Sequence, residues 1–489
     1  MIDDAHVPAL RTALSNASFT VDDVYALLGD DAHSALGRNQ TVPALRATRG
    51  AGDLATLIRL FALQVAVDRR RADSALPHLV EPLIAAGMLD SSAGEVRALI
   101  DIRPYGDELH DWWIVCDPTP GLNGLQAPMD PGYVLGISEA SSSLAQLTVR
   151  DPIDRALDLG TGCGVQALHL SQHSGEVVAT DVNPRALAMA LLTASLNGLD
   201  IDVREGSLFE PVGGEKFDLI ATNPPFVISP PGSERLVYRD SGMPGDSVVR
   251  HLVENAEAHL NPGGWCQILA NWAHHDGREW RSDLEEWFSD TALDAWVLQR
   301  ELVDPASYVE MWLADAGLAT APDYTRRYEA WLDWFAAEHI EGVGFGWLSL
   351  RRTAEMPVHR FEEWTGEIAP PIGPSVADWA RRTDATRGLD DAAILGHTFR
   401  HAPDLVEETR GPVGAEHPES IVLRLQQGVR RARQVDTVEA GLVSASEGDL
   451  TAGQILDALA SLLDRPADEL RRTYAASVRE LAADGFLIP

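Results

Sequence analysis

The stretch RALDLGTGCGVQALHLSQ, residues 155–172, decides the fold. Arg155 to Leu159 is an apolar run of strand length, and the residues from Val165 onward favour a helix. Between them lie Gly160, Gly162 and Gly164. A strand, a glycine-rich turn and a helix in that order open a doubly wound α/β unit. Glycine accepts positive φ and lets a ligand approach the backbone closely. Two carboxylates frame the turn: Asp158 at its start, and Asp181 at the end of the next strand in VVATDVNP. Doubly wound folds place an acid at that second position against ribose hydroxyls.

Working outward, apolar runs at 155–159, 176–180, 201–204, 217–222, 264–270, 293–298 and 344–350 alternate with helical patterns. The alternation predicts a Rossmann-like, seven-stranded α/β core over 133–352, with a parallel sheet and helices on both faces. A helical insertion is expected at 301–342, including DPASYVEMWLADAG and YEAWLDWFAAEHI.

Residues 1–116 read as a helical, winged-helix-like domain, with Asp53 capping the helix in DLATLIRLFALQVAV and a wing made by VRALIDI and DWWIVC. The Pro/Gly-rich 117–132 and the stretch FEEWTGEIAPPIGP read as linkers. A C-terminal winged-helix-like domain is expected over 376–489, with Thr451 as a helix cap and Gly485 as a helix stop.

At the end of the fourth strand the chain reads DLIATNPPFVISPP, residues 218–231. Proline offers no N–H to a sheet, so the strand must end there, with Asn223, Pro224, Pro225 and Phe226 at the break. A strand-terminating turn with an ordinary core Phe is the bland reading. The chemical one is a rigid loop that presents a carboxamide and a flat ring to a ligand.

The glycine turn admits two ligands. A dinucleotide would set its pyrophosphate at the helix N-terminus. S-adenosylmethionine has no phosphate there, and its ammonium suits a nearby Asp158 that would repel a pyrophosphate. LDLGTGCG, ATDVNPRALAMALLTASLNGL, REGSLFEPV and FDLIATNPPF, followed by GMPGDSVVRHLVENAEAHLNPGG, together resemble the class I S-adenosylmethionine-dependent methyltransferases. More narrowly they are similar to the NPPY/F amino-methyltransferase group that includes the HemK/PrmC glutamine methyltransferases. The resemblance covers about 155–270; the flanking domains lie outside it.

The resemblance implies S-adenosylmethionine as cofactor, with Asp158, Gly160, Gly162 and Gly164 at its methionine end. Asp181 would take the ribose hydroxyls, and Val182 would pack on the adenine. Ser207 stands where the group usually has an acid for the adenine amino group, which costs about a kcal/mol of hydrogen-bond strength. The Leu208 backbone would supply a neighbouring contact. Asn223 and the Pro224 carbonyl would hold the two N–H groups of a planar nitrogen, with Pro225 stiffening the loop and Phe226 under the acceptor.

These residues imply an N-methyltransferase acting most naturally on a protein glutamine. The alternatives are an RNA or DNA base amino group, or a cofactor-sensing binding protein whose winged helices do the work. The region YVLGISEASSSLAQL, 133–147, lacks the Arg-Pro motif of HemK/PrmC proteins.

Composition narrows the setting. The formal net charge is −35, and Lys216 is the sole lysine among 39 basic residues. So acidic a chain argues against a broad nucleic-acid footprint. Arginine clusters at 68–73 and 424–434 leave a local nucleic-acid contact open, although charge neutralisation on solvated faces explains them as well. Cys116, Cys163 and Cys266 are scattered, which argues against disulfides or a zinc site and fits a reducing cytoplasm. No membrane span, signal peptide or metal motif is expected. Asp240 and Asp246 are candidates to line the substrate entrance, and a solvated loop explains them equally well; His274 and His275, followed by Asp276, suggest metal or base chemistry but read more naturally as loop residues after a strand. Of the 13 tryptophans, Trp272, Trp280, Trp287, Trp312, Trp331 and Trp334 are expected mostly in the core of the insertion, with one or two lining the pocket.

Overall fold

The computed structural model describes residues 2–50, 52–107, 109–122, 132–231, 243–413 and 418–489. It divides into two compact units, one of residues 1–145 and 151–363 and one of 146–150 and 364–489.

The first unit is built on an eight-stranded sheet. Its strands are β1 (Ile153–Leu159), β2 (Ser174–Asp181), β3 (Asp202–Glu205), β4 (Phe217–Thr222), β5 (Leu260–His275), β6 (Leu293–Val303), β7 (Ile340–Arg352) and β8 (His359–Glu363). Their spatial order is β3-β2-β1-β4-β5-β7-β6-β8. β1 to β5 pair in parallel, as expected. β7 departs from the expected all-parallel sheet: it runs antiparallel to both β5 and β6. The reason is the connection. Two helices, α5 (Pro305–Asp315) and α6 (Tyr324–Ala337), leave β6 and return the chain to the edge it left, so the next strand must run back.

The insertion is accordingly shorter than 301–342, because β6 continues to Val303 and β7 begins at Ile340. β8 is an eighth strand in part of the stretch expected to be a linker, and it pairs in parallel with β6.

Helices cover both faces. α1 (Val165–Leu170) follows the glycine turn, and α2 (Pro184–Asn197) follows β2. The limits of α2 are written in the sequence: the Asn183 side chain accepts from the Arg185 amide, Pro184 opens the first turn, and Gly198 ends it in the left-handed region. On the opposite face, α3 (Ser247–Ala256) and α4 (Trp280–Phe288) bury Val249, Leu252, Leu284 and Phe288 against Ile220, Cys266 and Ile268. Trp272, Trp280 and Trp287 belong to this core rather than to the insertion, whereas Trp331 is buried within the insertion.

The N-terminal segment shares one core with α1 and α2: Leu10, Leu14, Phe19 and Ile114 pack with Val165, Leu168, Met189 and Leu196. Asn197 clamps the backbone of Trp113 from both sides, accepting from its N–H (3.0 Å) and donating to its carbonyl (2.8 Å). Helix Asp53–Leu57 continues as a π-helical turn over Ile58–Ala62, then come strand Val67–Asp68, helices Arg69–Ala75 and Val80–Ala85, and strands Leu89–Ser92 and Glu95–Ala98.

The hairpin in this segment is not the expected one. Ala93 and Gly94, both at positive φ, make a tight hairpin within 89–98. Asp101–Gly106 then pairs with Asp111–Cys116 in a separate two-stranded sheet. Asp53 lies inside the first turn, and Gly52 takes the cap position.

In the second unit, helices Ala452–Leu462 and Ala467–Asp484 are capped as expected. Thr451 and Gln454 form a reciprocal capping box, and Gly485 closes the second helix in the left-handed region. Among the described residues no helix is long and apolar enough to cross a membrane.

Candidate active site

Three strands end at one level. Leu159 of β1 pairs with Thr180 of β2 and with Thr222 of β4, so Gly160, Asp181 and Asn223 each emerge just beyond the same row. Amides of Gly160 and Thr161 donate to the Thr180 carbonyl (2.9 Å each), and the Thr222 hydroxyl donates to the Leu159 carbonyl (2.8 Å). The crevice at the carboxyl ends of parallel strands is where α/β folds bind ligands.

The turn itself is a cradle. Gly160, Gly162 and Gly164 have φ of 78°, 55° and 88°. A Cβ at Gly162 would meet nothing within 4 Å, which leaves room for a ligand above the backbone. At Gly164 a Cβ would come within 3.2 Å of Ala190 Cα, so this glycine serves the close packing of the turn on α2.

Asp158 lies beneath the turn, only 1% exposed. Its Oδ2 accepts from the Thr161 hydroxyl (2.6 Å) and from the Ala167 amide (2.9 Å). Burial pushes its carboxyl up to about 7, against the opposing pull of those two donors. Asp181 stands at the rim. Its two oxygens accept from the Gly162 and Asn183 amides (2.9 Å each), and burial raises its carboxyl against those bonds. Each oxygen retains lone pairs for a diol.

Beside it Val182 is 63% exposed, an apolar side chain held open at the end of a buried strand. Ser207 is exposed and Leu208 half-buried, the latter in the left-handed region at φ 47°, so the loop after β3 turns toward the same crevice. The Gly206 amide donates to the Asp181 carbonyl (3.0 Å), which ties that loop to β2. Cys163, within the turn, is buried, and its thiol is pushed up to about 12. It is inert at neutral pH.

On the other side of β1 stands Asn223. It is half-buried, and among the described residues its carboxamide has no hydrogen-bond partner. Pro224 is buried, Pro225 half-buried, and Phe226 half-buried with its ring edge-on to Trp312 (centroids 6.4 Å apart, planes at 68°). Trp312 is thus a tryptophan placed against the motif. Tyr308, one turn earlier on α5, accepts from the Ile228 amide (2.8 Å) with its hydroxyl. Trp312 was one of six tryptophans of which one or two were expected to line the pocket; Tyr308 was not singled out from the sequence. The available signal was their spacing in DPASYVEMW, which places both on one helix face behind an Asp-Pro start.

Other candidates take structural places. His274 and His275 are strand residues, not loop residues: His274 Nε2 meets Gln299 Oε1 at 2.7 Å, and His275 Nδ1 meets Asp283 at 3.1 Å. Asp246 accepts from the Ala273 amide (3.0 Å), joining the start of α3 to β5; burial raises its carboxyl. Asp240 lies outside the described residues.

The C-terminal arginines are consumed by acids: Arg424 by Glu408, Arg430 by Glu367, Arg431 by Asp484, and Arg433 by Glu439 and Glu480. In the N-terminal cluster Arg69 pairs with Asp73 and Glu81, while Arg70 and Arg71 are exposed. Among the described residues no cluster of metal-ligating side chains occurs.

Comparison with known proteins agrees with this geometry. Residues 136–295 match the methyltransferase small domain family, and residues 16–99 match a domain of unknown function (DUF7059). A release factor glutamine methyltransferase of Geobacter sulfurreducens is 36% identical over 162 residues, 31% of this chain and 57% of its own length. A ribosomal protein uL3 glutamine methyltransferase of Bradyrhizobium diazoefficiens is 36% identical over 147 residues, 27% of this chain and 45% of its own. A ribosomal RNA small subunit methyltransferase C of Salmonella arizonae is 30% identical over 179 residues, 36% of this chain and 46% of its own. The chain spans about half the length of the curated relatives it matches. Residues 136–295 thus resemble the methyltransferase small domain, and the core that holds them is similar to that of the release factor glutamine methyltransferases.

Proposed function

We propose that this protein is an S-adenosylmethionine-dependent N-methyltransferase that acts on a planar nitrogen, a glutamine side chain of a protein. The observation that carries the proposal is the Asn223 carboxamide, without a hydrogen-bond partner among the described residues, on a proline-stiffened loop beside the glycine cradle. The cradle suits the cofactor on three counts: open space over Gly162, a rim carboxylate at Asp181, and the exposed Val182 as a surface for a flat ring.

When bound, the cofactor supplies an electrophilic sulfonium methyl. Asp158, under the turn, would lie nearest its ammonium; Asp181 would accept from the ribose hydroxyls; Val182, Ser207 and Leu208 would flank the adenine. Asn223 Oδ1 and the Pro224 carbonyl accept the two N–H groups of the acceptor amide. Held this way, the acceptor nitrogen would aim its lone pair at the methyl group as it pyramidalises; transfer would break the S–CH3 bond, release S-adenosylhomocysteine and pass the surplus N–H proton to water. Orientation and stabilisation of the developing positive charge supply the rate, so no strong base is required. Phe226 offers its face to the planar group.

The named relatives favour a protein acceptor through the two glutamine methyltransferases and a nucleobase through the ribosomal RNA enzyme. The pairing of the C-terminal arginines with acids favours protein, since those cations have no free charge for phosphates. Tritium from labelled cofactor, incubated with a cell extract, is expected in material that resists RNase and yields to protease. Label lost on RNase treatment selects the nucleobase instead. Absence of S-adenosylhomocysteine binding by titration calorimetry refutes both.

A further inference from the structure

We propose that Tyr308 is a positioning residue that fixes the acceptor loop, which makes helix α5 a working part of the methyl-transfer site although it lies beyond the matched methyltransferase domain. The proposal rests on the methyl-transfer reading of the Asn223–Phe226 loop.

Past the end of β4 the loop's backbone forms an isolated bridge at Phe226. β4 ends at Thr222, and Pro224 and Pro225 carry no N–H. Ile228, a short way downstream, is 0% exposed, and its amide finds its partner in the Tyr308 hydroxyl at 2.8 Å. A buried amide stripped of its acceptor is costly, so this bond holds the loop rather than merely decorating it. Tyr308 is itself 0% exposed, and its hydroxyl also accepts from Asn271 Nδ2 at 3.1 Å.

Asn271 lies on β5 just past Ile268, which pairs with Thr222. The loop, the helix and the sheet are therefore knotted at one hydroxyl. One turn along α5, Trp312 meets the Phe226 ring edge-on. A single helix face thus grips the loop at Phe226 and at Ile228, and the two prolines carry that rigidity back to Asn223. The start of α5 is set by the Asp304 cap, which accepts from the Ser307 amide (3.0 Å), and by Pro305.

The test is Tyr308→Phe, which removes one oxygen and keeps the ring. Hydrogen exchange at the Ile228 amide is expected to rise at least tenfold, while the β5 amides of 265–270 and the Kd for S-adenosylhomocysteine stay within twofold. Turnover at saturating cofactor, read as tritium transferred to protein of a cell extract, is expected to fall at least tenfold with the cofactor KM unchanged. Unchanged exchange at Ile228, or faster exchange with full turnover, overturns the proposal. The wild type gives a second reading that does not depend on how the variant folds. Its Ile228 amide, without any ligand, should exchange as slowly as those of β4, and fast exchange there overturns the tether. If the wild type transfers no methyl group, the functional reading fails, and the exchange data alone decide whether Tyr308 holds the loop.

Discussion

Asp158 is a carboxylic acid sealed under a turn, and its titration should be visible. Its pKa of about 7 in the fold lies above the ordinary value of about 3.9, so folding favours the neutral acid. The associated stability is fully present below about pH 4 and is lost as pH rises through 7. Urea unfolding of the wild type and of Asp158→Asn between pH 4 and 8 should show the wild type losing stability relative to the variant up to pH 7, then running parallel. Parallel curves throughout would remove the assigned pKa.

At the neighbouring strand ends two substitutions separate binding from chemistry. Asn223→Ala is expected to lower turnover by about 10²–10³, as loss of one oriented polar group does, with S-adenosylhomocysteine affinity unchanged. Asp181→Ala should instead weaken that affinity by about two orders of magnitude, since hydrogen bonds to a charged acceptor contribute about 1.5–3 kcal/mol each. Calorimetric titration of both variants checks the division. The glycine turn, its two strand-end acids and the NPPF loop were legible in the sequence because glycines, prolines and acids at strand ends announce backbone chemistry locally. Tyr308 was not, because an aromatic residue on an amphipathic helix reads as core, and no local signal set Trp312 apart from the other tryptophans.

At the scale of elements, caps were the most readable signals. The Thr451 and Gln454 box and the Gly485 stop depend only on neighbours within one turn. Thr451→Ala should cost about 1 kcal/mol, measured as a shifted urea midpoint at unchanged slope. The strand pairings were harder. The hairpin at 89–98 turns on Ala93 and Gly94, not an Asn-Gly or Asp-Gly pair, so the wing was sought further along the chain. β8 hides in HRFEE, whose polar residues look like linker, yet its backbone pairs with β6 as well as any apolar strand. The reversal of β7 follows from a helical hairpin whose geometry no local pattern specifies.

Across the whole molecule, charge is the feature with consequences. A net charge of −35 and arginines largely neutralised by neighbours leave few cations for a phosphate backbone. Methyl transfer to protein should therefore change by less than about twofold between 50 and 200 mM salt, whereas a polynucleotide acceptor gripped at several phosphates would lose about 10³ or more. A filter assay of tritium transfer across that range decides between them.

The sequence by itself determined the doubly wound core, the cradle with its two acids, and the carboxamide loop at the end of β4. Each of these is a local instruction to the backbone, carried by residues with restricted or unusual φ and by a hydrophobic period. Only the tertiary structure decided that Asn223 has no partner among the described residues, that Asp158 lies buried while Val182 stands open, that the C-terminal arginines are spent on acids, and that the Ile228 amide meets Tyr308 of a distant helix. Those outcomes depend on which groups meet across long stretches of chain, where burial sets the protonation of an acid and the freedom of an amide.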